Sequence, residues 1–451
     1  MAPEMGDADR DKLGDRARRA MARFGREISA DTSLDLLVRK SSPGDEASPS
    51  VLDEQLTLVS VLTEALLAYG LPAHRVEEAL SRVTSALGVH AQLVSLHTSF
   101  MLSLGTGDAQ RTRVVRVQPG RSDLEKLSAL HELVGRVERH ELSAAEAARR
   151  VSAITARPAR YGAVAMTACH GLSSMAAAAL LGATLTEVLW AAPLGVLVGA
   201  VASLAEQWRG SQRLLPAAAT LVASMAAFAL TRMGEPVRPL LLTLAGVVVL
   251  LPGLATTMAI TELATGNLIS GTARLFGAGL TFLLMTFGVA LGQRVNPTLI
   301  AGGAEVASGE SLPIWLALIA PGLAGLSFAV LLRARPRDAP LVVGAGYVAT
   351  GAAWIGAHTL GAGLGGFLGA LAVGVVSHAH ARWKDRPVAI TLVPGTLLLV
   401  PGSMGFLSFS SLLREDVSGA VETLFRMALV TVSIAAGTLV ATLMVPPKGA
   451  I

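Results

Sequence analysis

The chain changes character near residue 160. From Tyr161 onward it is a succession of apolar runs, each near the roughly 20 helical residues that cross a hydrocarbon core, parted by short loops bearing Gly, Pro and Arg. The runs predict ten spans, near 161–182, 187–205, 214–231, 239–260, 273–292, 312–332, 340–357, 360–378, 388–411 and 427–445, the seventh and eighth parted only by the turn around Gly356 to Gly361. Before Tyr161 the periods are shorter. Residues 51–70 carry apolar positions at helical spacing and stop at Gly70, a helix C-cap signal. Pro72 opens a second helix, Ala73 to Leu87, which Gly88 stops. Three short runs follow, HAQLVSLH, SFMLSLG and RTRVVRVQ; the third alternates basic and apolar residues as a half-buried strand does. Helices are predicted at Asp123 to Glu138 and Ser143 to Thr155, the latter with Ser143 and Glu146 at capping-box spacing. This predicts a small α+β domain at 51–157. Residues 1–50 show little periodicity and read as a disordered tail, in which Ala17 to Ile28 could form a basic helix against anionic lipid.

The pattern also repeats. Leu250 to Phe276, LLPGLATTMAITELATGNLISGTARLF, matches Leu399 to Phe425, LVPGSMGFLSFSSLLREDVSGAVETLF. One gap aligns Pro252-Gly253 with Pro401-Gly402 and Ser270-Gly271 with Ser418-Gly419. The fold class that follows is a multi-spanning α-helical membrane protein. It has ten transmembrane helices as two inverted five-helix repeats, 158–295 and 296–451, preceded by a cytosolic α+β domain. An odd number of spans per half turns the second half upside down. The Pro-Gly breaks fall in spans four and nine, which run oppositely, so the two breaks can meet near the midplane.

Composition sharpens this division. Residues 1–150 hold 42 of the 70 Asp, Glu, Lys and Arg residues, and the other 301 hold 28. Twelve Lys and Arg residues, Arg209 and Lys448 among them, fall in loops on the N-terminal side of the spans, against five on the other, Arg414 included. That balance predicts cytoplasmic N- and C-termini. The polar N-terminus shows no cleaved signal peptide. A net charge of +4 gives no argument for nucleic acid. The single Cys169 excludes an intrachain disulfide and any multi-Cys metal site, and His378-Ala-His380 is too sparse for a metal. No G-x-x-x-x-G-K-[ST], H-E-x-x-H or G-x-S-x-G occurs, so neither ATP drive, nor a catalytic set, nor a cofactor is expected.

The breaks carry the candidate chemistry. Proline removes a backbone donor and frees a carbonyl one turn earlier. Pro252, Gly253, Thr256, Thr257 and Asn267 in the first copy, with Pro401, Gly402 and Ser403 in the second, are the candidate substrate-binding residues for a small zwitterion facing helix N-termini. The alternative is a pair of proline kinks repaired by neighbouring hydroxyls. Glu262 and His170 are candidates to carry a coupling proton; the alternatives are a Glu262–Arg274 pair and a neutral buried histidine. Glu187 opens span two, where it could simply favour the helix N-terminus. In the α+β domain, His74, Arg75, Glu77 and Glu78 form a polar turn-to-helix surface that could meet the membrane half or a ligand.

The motif GLPAHRVEEAL, followed by ten spans in two halves with Leu251-Pro252-Gly253 and Val400-Pro401-Gly402, resembles the threonine/serine exporter family in its fused form, over residues 54–445. The resemblance implies a secondary transporter in a bacterial cytoplasmic membrane that exports L-threonine and L-serine with protons as coupling ion. A membrane-embedded hydrolase using His170, Glu262 and a Ser/Thr nucleophile is a second reading, against which no nucleophile–base spacing is visible; a membrane scaffold is a third, which leaves the matched breaks unexplained. No oligomeric state follows from the sequence.

Overall fold

The computed structural model describes residues 49–96, 98–105, 110–117, 120, 122–207, 211–295, 312–361, 363–413 and 415–446. The expected tail, its basic helix, and the loop residues Arg209, Arg414 and Lys448 lie outside the described residues.

Two helices open the described chain, α1 (Pro49–Ala68) and α2 (Ala73–Ala86). Leu52, Leu56, Val59, Leu62 and Leu66 of α1 are buried at intervals of three and four, the spacing of one helix face. Gly70 ends α1 at φ +86°, where its N–H reaches the carbonyl of Leu67 and that of Leu71 reaches Leu66, a Schellman closure that only glycine adopts without strain. All three short runs are strands, β1 (Ala91–Ser95), β2 (Ser99–Leu104) and β3 (Arg111–Arg116), in an antiparallel meander ordered β1-β2-β3. The third run differs from the expectation. β3 lies at the sheet edge and is exposed on both faces, with Val114 71% accessible. An edge strand has a neighbour on one side alone, so alternation in its sequence does not bury it. Helices α3 (Leu124–Glu138) and α4 (Ala144–Thr155) complete the domain. Asp123 and Ser143 cap them by accepting from the N–H groups of Lys126 and Glu146.

The helices that follow are α5 (Ala163–Leu180), α6 (Leu185–Gln207), α7 (Leu215–Arg232), the broken pair α8 (Pro239–Gly246) and α9 (Gly253–Ala264), and α10 (Leu268–Val295). The series then repeats as α11 (Ile314–Leu331), α12 (Ala339–Leu360), α13 (Gly365–Lys384), the broken pair α14 (Ala389–Leu399) and α15 (Gly402–Leu412), and α16 (Val417–Met444). Among the described residues eight segments, α14–α15 counted as one, are long and apolar enough to cross a membrane; Pro239–Gly246 together with Val248–Ala264, bent by 58° between them, is a ninth. The remaining helix, α13, is less apolar because its last turns carry His378, His380, Arg382 and Lys384, yet it packs between α12 and α16. Two spans start earlier than their apolar runs suggested. α10 and α16 begin at Leu268 and Val417 because Ser270-Gly271 and Ser418-Gly419 lie inside first turns rather than in loops. A Cβ at Gly271 would stand 2.9 Å from the carbonyl oxygen of Ala259, so the glycine lets α10 lie directly on α9.

Packing in the two halves corresponds pair for pair. α5 packs on α6 and α8 as α11 packs on α12 and α14, and α5 meets α11. α9 packs on α10 and crosses to α16; α15 packs on α16 and crosses to α10; α9 and α15 touch. A pseudo-two-fold axis between the breaks produces these exchanges. The buried acid Glu187 at the start of α6 takes Arg238, the residue before α8, and the buried Asp338 before α12 takes Arg386, ahead of α14.

The α+β domain is not a separate body. Its core of Leu62, Leu66, Val83, Phe100 and Leu130 continues into Ala329, Ala334 and Val342 of the second half. The N–H groups of Leu124 and Glu125 opening α3 donate to the carbonyls of Leu332 and Arg333 closing α11, at 2.9 and 3.2 Å, so two helix ends satisfy each other's orphan groups. Tyr161 Oη adds a bond to the carbonyl of Ala334 at 2.9 Å.

Candidate functional site

The two breaks share one backbone geometry. Leu251 (φ −62°, ψ 132°) and Pro252 (φ −80°, ψ 33°) are matched by Val400 (φ −66°, ψ 130°) and Pro401 (φ −82°, ψ 41°). In each, one extended residue stops a helix and the proline caps the next. The corners press together. A Cβ on Gly253 would stand 2.3 Å from Val400 Cγ1 and 3.1 Å from the Gly402 backbone, and one on Gly402 would stand 3.1 Å from Leu251 Cβ. Glycine at both positions lets the backbones meet across the axis, so the N-termini of α9 and α15 lie side by side.

Beside this junction is a cavity of about 330 Å³. Its walls include Gly253 and Leu254 of α9, Gly402 and Ser403 of α15, His170 and Ser173 of α5, and Phe328 of α11. The opening N–H groups of α9 and α15 have no carbonyl one turn back and carry the positive ends of their helices. A cavity between two such ends favours a carboxylate. His170 is 3% exposed and is set by close helix packing. Gly195 and Gly199 of α6, a G-x-x-x-G pair, would place a Cβ 2.6 Å from the His170 carbonyl oxygen and 2.9 Å from its Cβ.

Of the expected binding residues, the structure brings Gly253, Gly402 and Ser403 to this cavity, with Pro252 and Pro401 as the corners that aim them. Thr256 and Thr257 are turned elsewhere. Thr256 Oγ1 donates to the carbonyl of Pro252 at 2.8 Å and Thr257 Oγ1 to that of Gly253 at 3.3 Å, one turn back along their own helix. Asn267 sits in the turn between α9 and α10, where its N–H closes on the carbonyl of Glu262. Ser173 and Phe328 line the cavity without having been singled out in the sequence. Ser173 lies three residues after His170 on the same helix face, but nothing in its neighbours separates it from Ser174, the other serine of α5.

Glu262 lies outside the cavity walls, at the far end of α9, fully buried. Arg274 grips it with Nε and Nη2 at 3.1 and 2.9 Å, Ser270 Oγ donates at 3.0 Å, and the N–H of Ala73 opening α2 donates at 3.3 Å. The pair with Arg274 is thus the arrangement observed, and it anchors the α+β domain. Glu187 is as fully engaged, by the backbone and guanidinium of Arg238 at 2.7–2.9 Å and by the N–H of Thr184 at 2.8 Å. With Thr184 it forms a capping box at the start of α6.

Paired discontinuous helices whose N-termini flank one cavity between two repeats define a class of multi-span helical membrane protein. Within that class the family is shown by the chain itself. The family described as "Putative threonine/serine exporter" matches residues 57–296, and that described as "Threonine/Serine exporter, ThrE" matches residues 317–444; the chain belongs to the threonine/serine exporter family. It is 26% identical over 418 residues to "Pheromone-regulated membrane protein 10" of Eremothecium gossypii, covering 86% of this chain and 56% of that protein. It is 23% identical over 372 residues to "Probable threonine/serine exporter" of Mycobacterium tuberculosis, covering 78% of this chain and 69% of that one. The chain spans about half the length of the first of these curated relatives. No solved structure matches it.

Proposed function

We propose that the protein is a secondary transporter that exports small hydroxylated amino acids, L-threonine and L-serine first, across a bacterial cytoplasmic membrane, driven by the proton motive force. The observation that carries this reading is the meeting of α9 and α15 at Gly253 and Gly402 beside the cavity. The cargo carboxylate would rest between the two helix N-termini, and Ser403 and Ser173 would offer hydroxyls to its polar side chain. Rocking of one five-helix half against the other about the junction would open the cavity to each side in turn. His170 is the titratable group on the wall and the candidate for the coupling proton. The α+β domain and both termini would lie on the cytoplasmic side, a reading that the balance of basic loops supports.

The test is uptake of radiolabelled L-threonine into inverted membrane vesicles containing the protein, in which cellular export becomes uptake. Accumulation that follows an imposed proton gradient, collapses with an uncoupler and is competed by L-serine is the expected result. No accumulation above empty vesicles, with the protein shown folded, would overturn the reading.

A further inference from the structure

The turn Gly70-Leu71-Pro72-Ala73-His74-Arg75 takes no part in the central cavity. It forms one wall of a second cavity, of about 140 Å³, between the α+β domain and helices α9, α14 and α16. The wall opposite Arg75 is a belt of threonines: Thr257 and Thr261 on α9, Thr396 on α14, Thr438 and Thr442 on α16. Four of these hydroxyl protons are committed to their own helices: Thr257 donates to the carbonyl of Gly253 at 3.3 Å, Thr261 to Thr257 at 3.0 Å, Thr396 to Leu392 at 2.8 Å and Thr438 to Ala435 at 2.8 Å. Thr442 Oγ1 lies between the carbonyl of Thr438 at 3.0 Å and His378 Nε2 at 3.2 Å. A hydroxyl whose proton is spent on a backbone carbonyl has only lone pairs left to offer. The belt is therefore an acceptor surface, suited to an ammonium group.

The facing wall has the opposite character. The Arg75 side chain is 17% exposed, and its Nη1 donates to Glu78 Oε2 at 3.0 Å, which holds the guanidinium fork in place. α2, a helix of 14 residues, begins in the same wall, with its first N–H, that of Ala73, already held by Glu262 Oε1 at 3.3 Å. His74 Nδ1 is buried there with no hydrogen-bond partner among the described residues. Apolar side chains such as Leu254 and Met258 fill the space between. A simple anion would meet the lone pairs of the belt, and a simple cation would meet Arg75. A small α-amino acid zwitterion satisfies both walls and sets its side chain against the apolar middle.

We propose that this cavity is a second α-amino acid site, in series with the central one, which it adjoins through Ser122 and Leu254, residues of both walls. The proposal rests on reading the protein as a carrier of small amino acids. The domain-side site takes cargo first, with its carboxylate on Arg75 and its ammonium on the threonine belt, and passes it inward.

Equilibrium dialysis of the purified full-length protein against radiolabelled L-threonine tests this, with Arg75→Gln, Ser403→Ala, and the near-isosteric Thr261→Val/Thr442→Val, which leaves Arg75 in place should its loss unfold the chain. Two molecules bound per chain are expected in the wild type. Arg75→Gln should lose one, and the valine pair should weaken the same site at least tenfold. Unchanged stoichiometry and affinity in Arg75→Gln and the valine pair would overturn the second site and leave the central one standing. A single wild-type site that is lost with Arg75→Gln but kept with Ser403→Ala would support the domain-side site and overturn the central reading. No binding of L-threonine to folded wild-type protein would overturn both.

Discussion

His74 and His131 sit where the α+β domain meets the membrane helices, and burial holds both imidazoles below the ordinary histidine range. For His131 this wins over Asp385, whose carboxylate is 3.8 Å away but largely exposed. Both groups fold neutral, so the unfolded chain takes up protons that the folded chain does not. Stability from this source is complete above the unfolded histidine pKa of about 6.5 and falls as pH drops through and below it. Thermal melts between about pH 7.5 and pH 5 should show the melting temperature decreasing on acidification. His74→Gln/His131→Gln should flatten that decrease; an unaltered pH profile would show that other groups govern it. The residue scale is also where sequence reading reached least far. Glu262 looks the same on paper whether it carries a proton or holds an arginine. Ser270 and Arg274 lie in the next turn of chain, but the decisive partner, the N–H of Ala73, is 189 positions away.

The two corners at Pro252-Gly253 and Pro401-Gly402 are equivalent in sequence and in backbone angles but not in the space around them. At Gly253 an added methyl would drive into Val400 Cγ1 at 2.3 Å, whereas at Gly402 the nearest atom, Leu251 Cβ, is 3.1 Å away. Gly253→Ala should therefore cost about 1–3 kcal/mol as an overpacked junction and reduce transport strongly, with a smaller effect for Gly402→Ala. Val400→Ala removes the offending Cγ1 and should restore part of the loss in the double variant, read by melting temperature and vesicle uptake; no recovery would mean that the Gly402 backbone sets the limit. These elements were legible because a helix breaker inside an apolar run is a local signal, and its recurrence at matched positions is hard to obtain otherwise. The starts of α10 and α16 were not, because Ser-Gly serves equally as a loop and as a first helical turn packed tightly on a neighbour. Exposure of β3 was hidden for a related reason: strand order is a property of the sheet and not of the run.

Over the whole molecule the inverted arrangement followed from counting, since five spans per half and two aligned breaks leave little choice of relation. What counting could not supply is the asymmetry that the α+β domain imposes. It binds the first half through Glu262 and the second through Leu332 and Arg333, on one side of the helices only. The shared core also sets an order of assembly. The residues of α1 to α4 leave the ribosome first, yet Ala329, Ala334 and Val342, which close their core, come some two hundred residues later. A fragment ending at residue 157 should accordingly bind a hydrophobic dye and be cut by protease faster than the same segment in the full chain. Equal resistance would show that the core closes unaided. During synthesis the domain must wait, open on one face, until α11 and α12 are in the bilayer, so a chain interrupted between the two halves leaves an exposed apolar surface for cellular quality control to find.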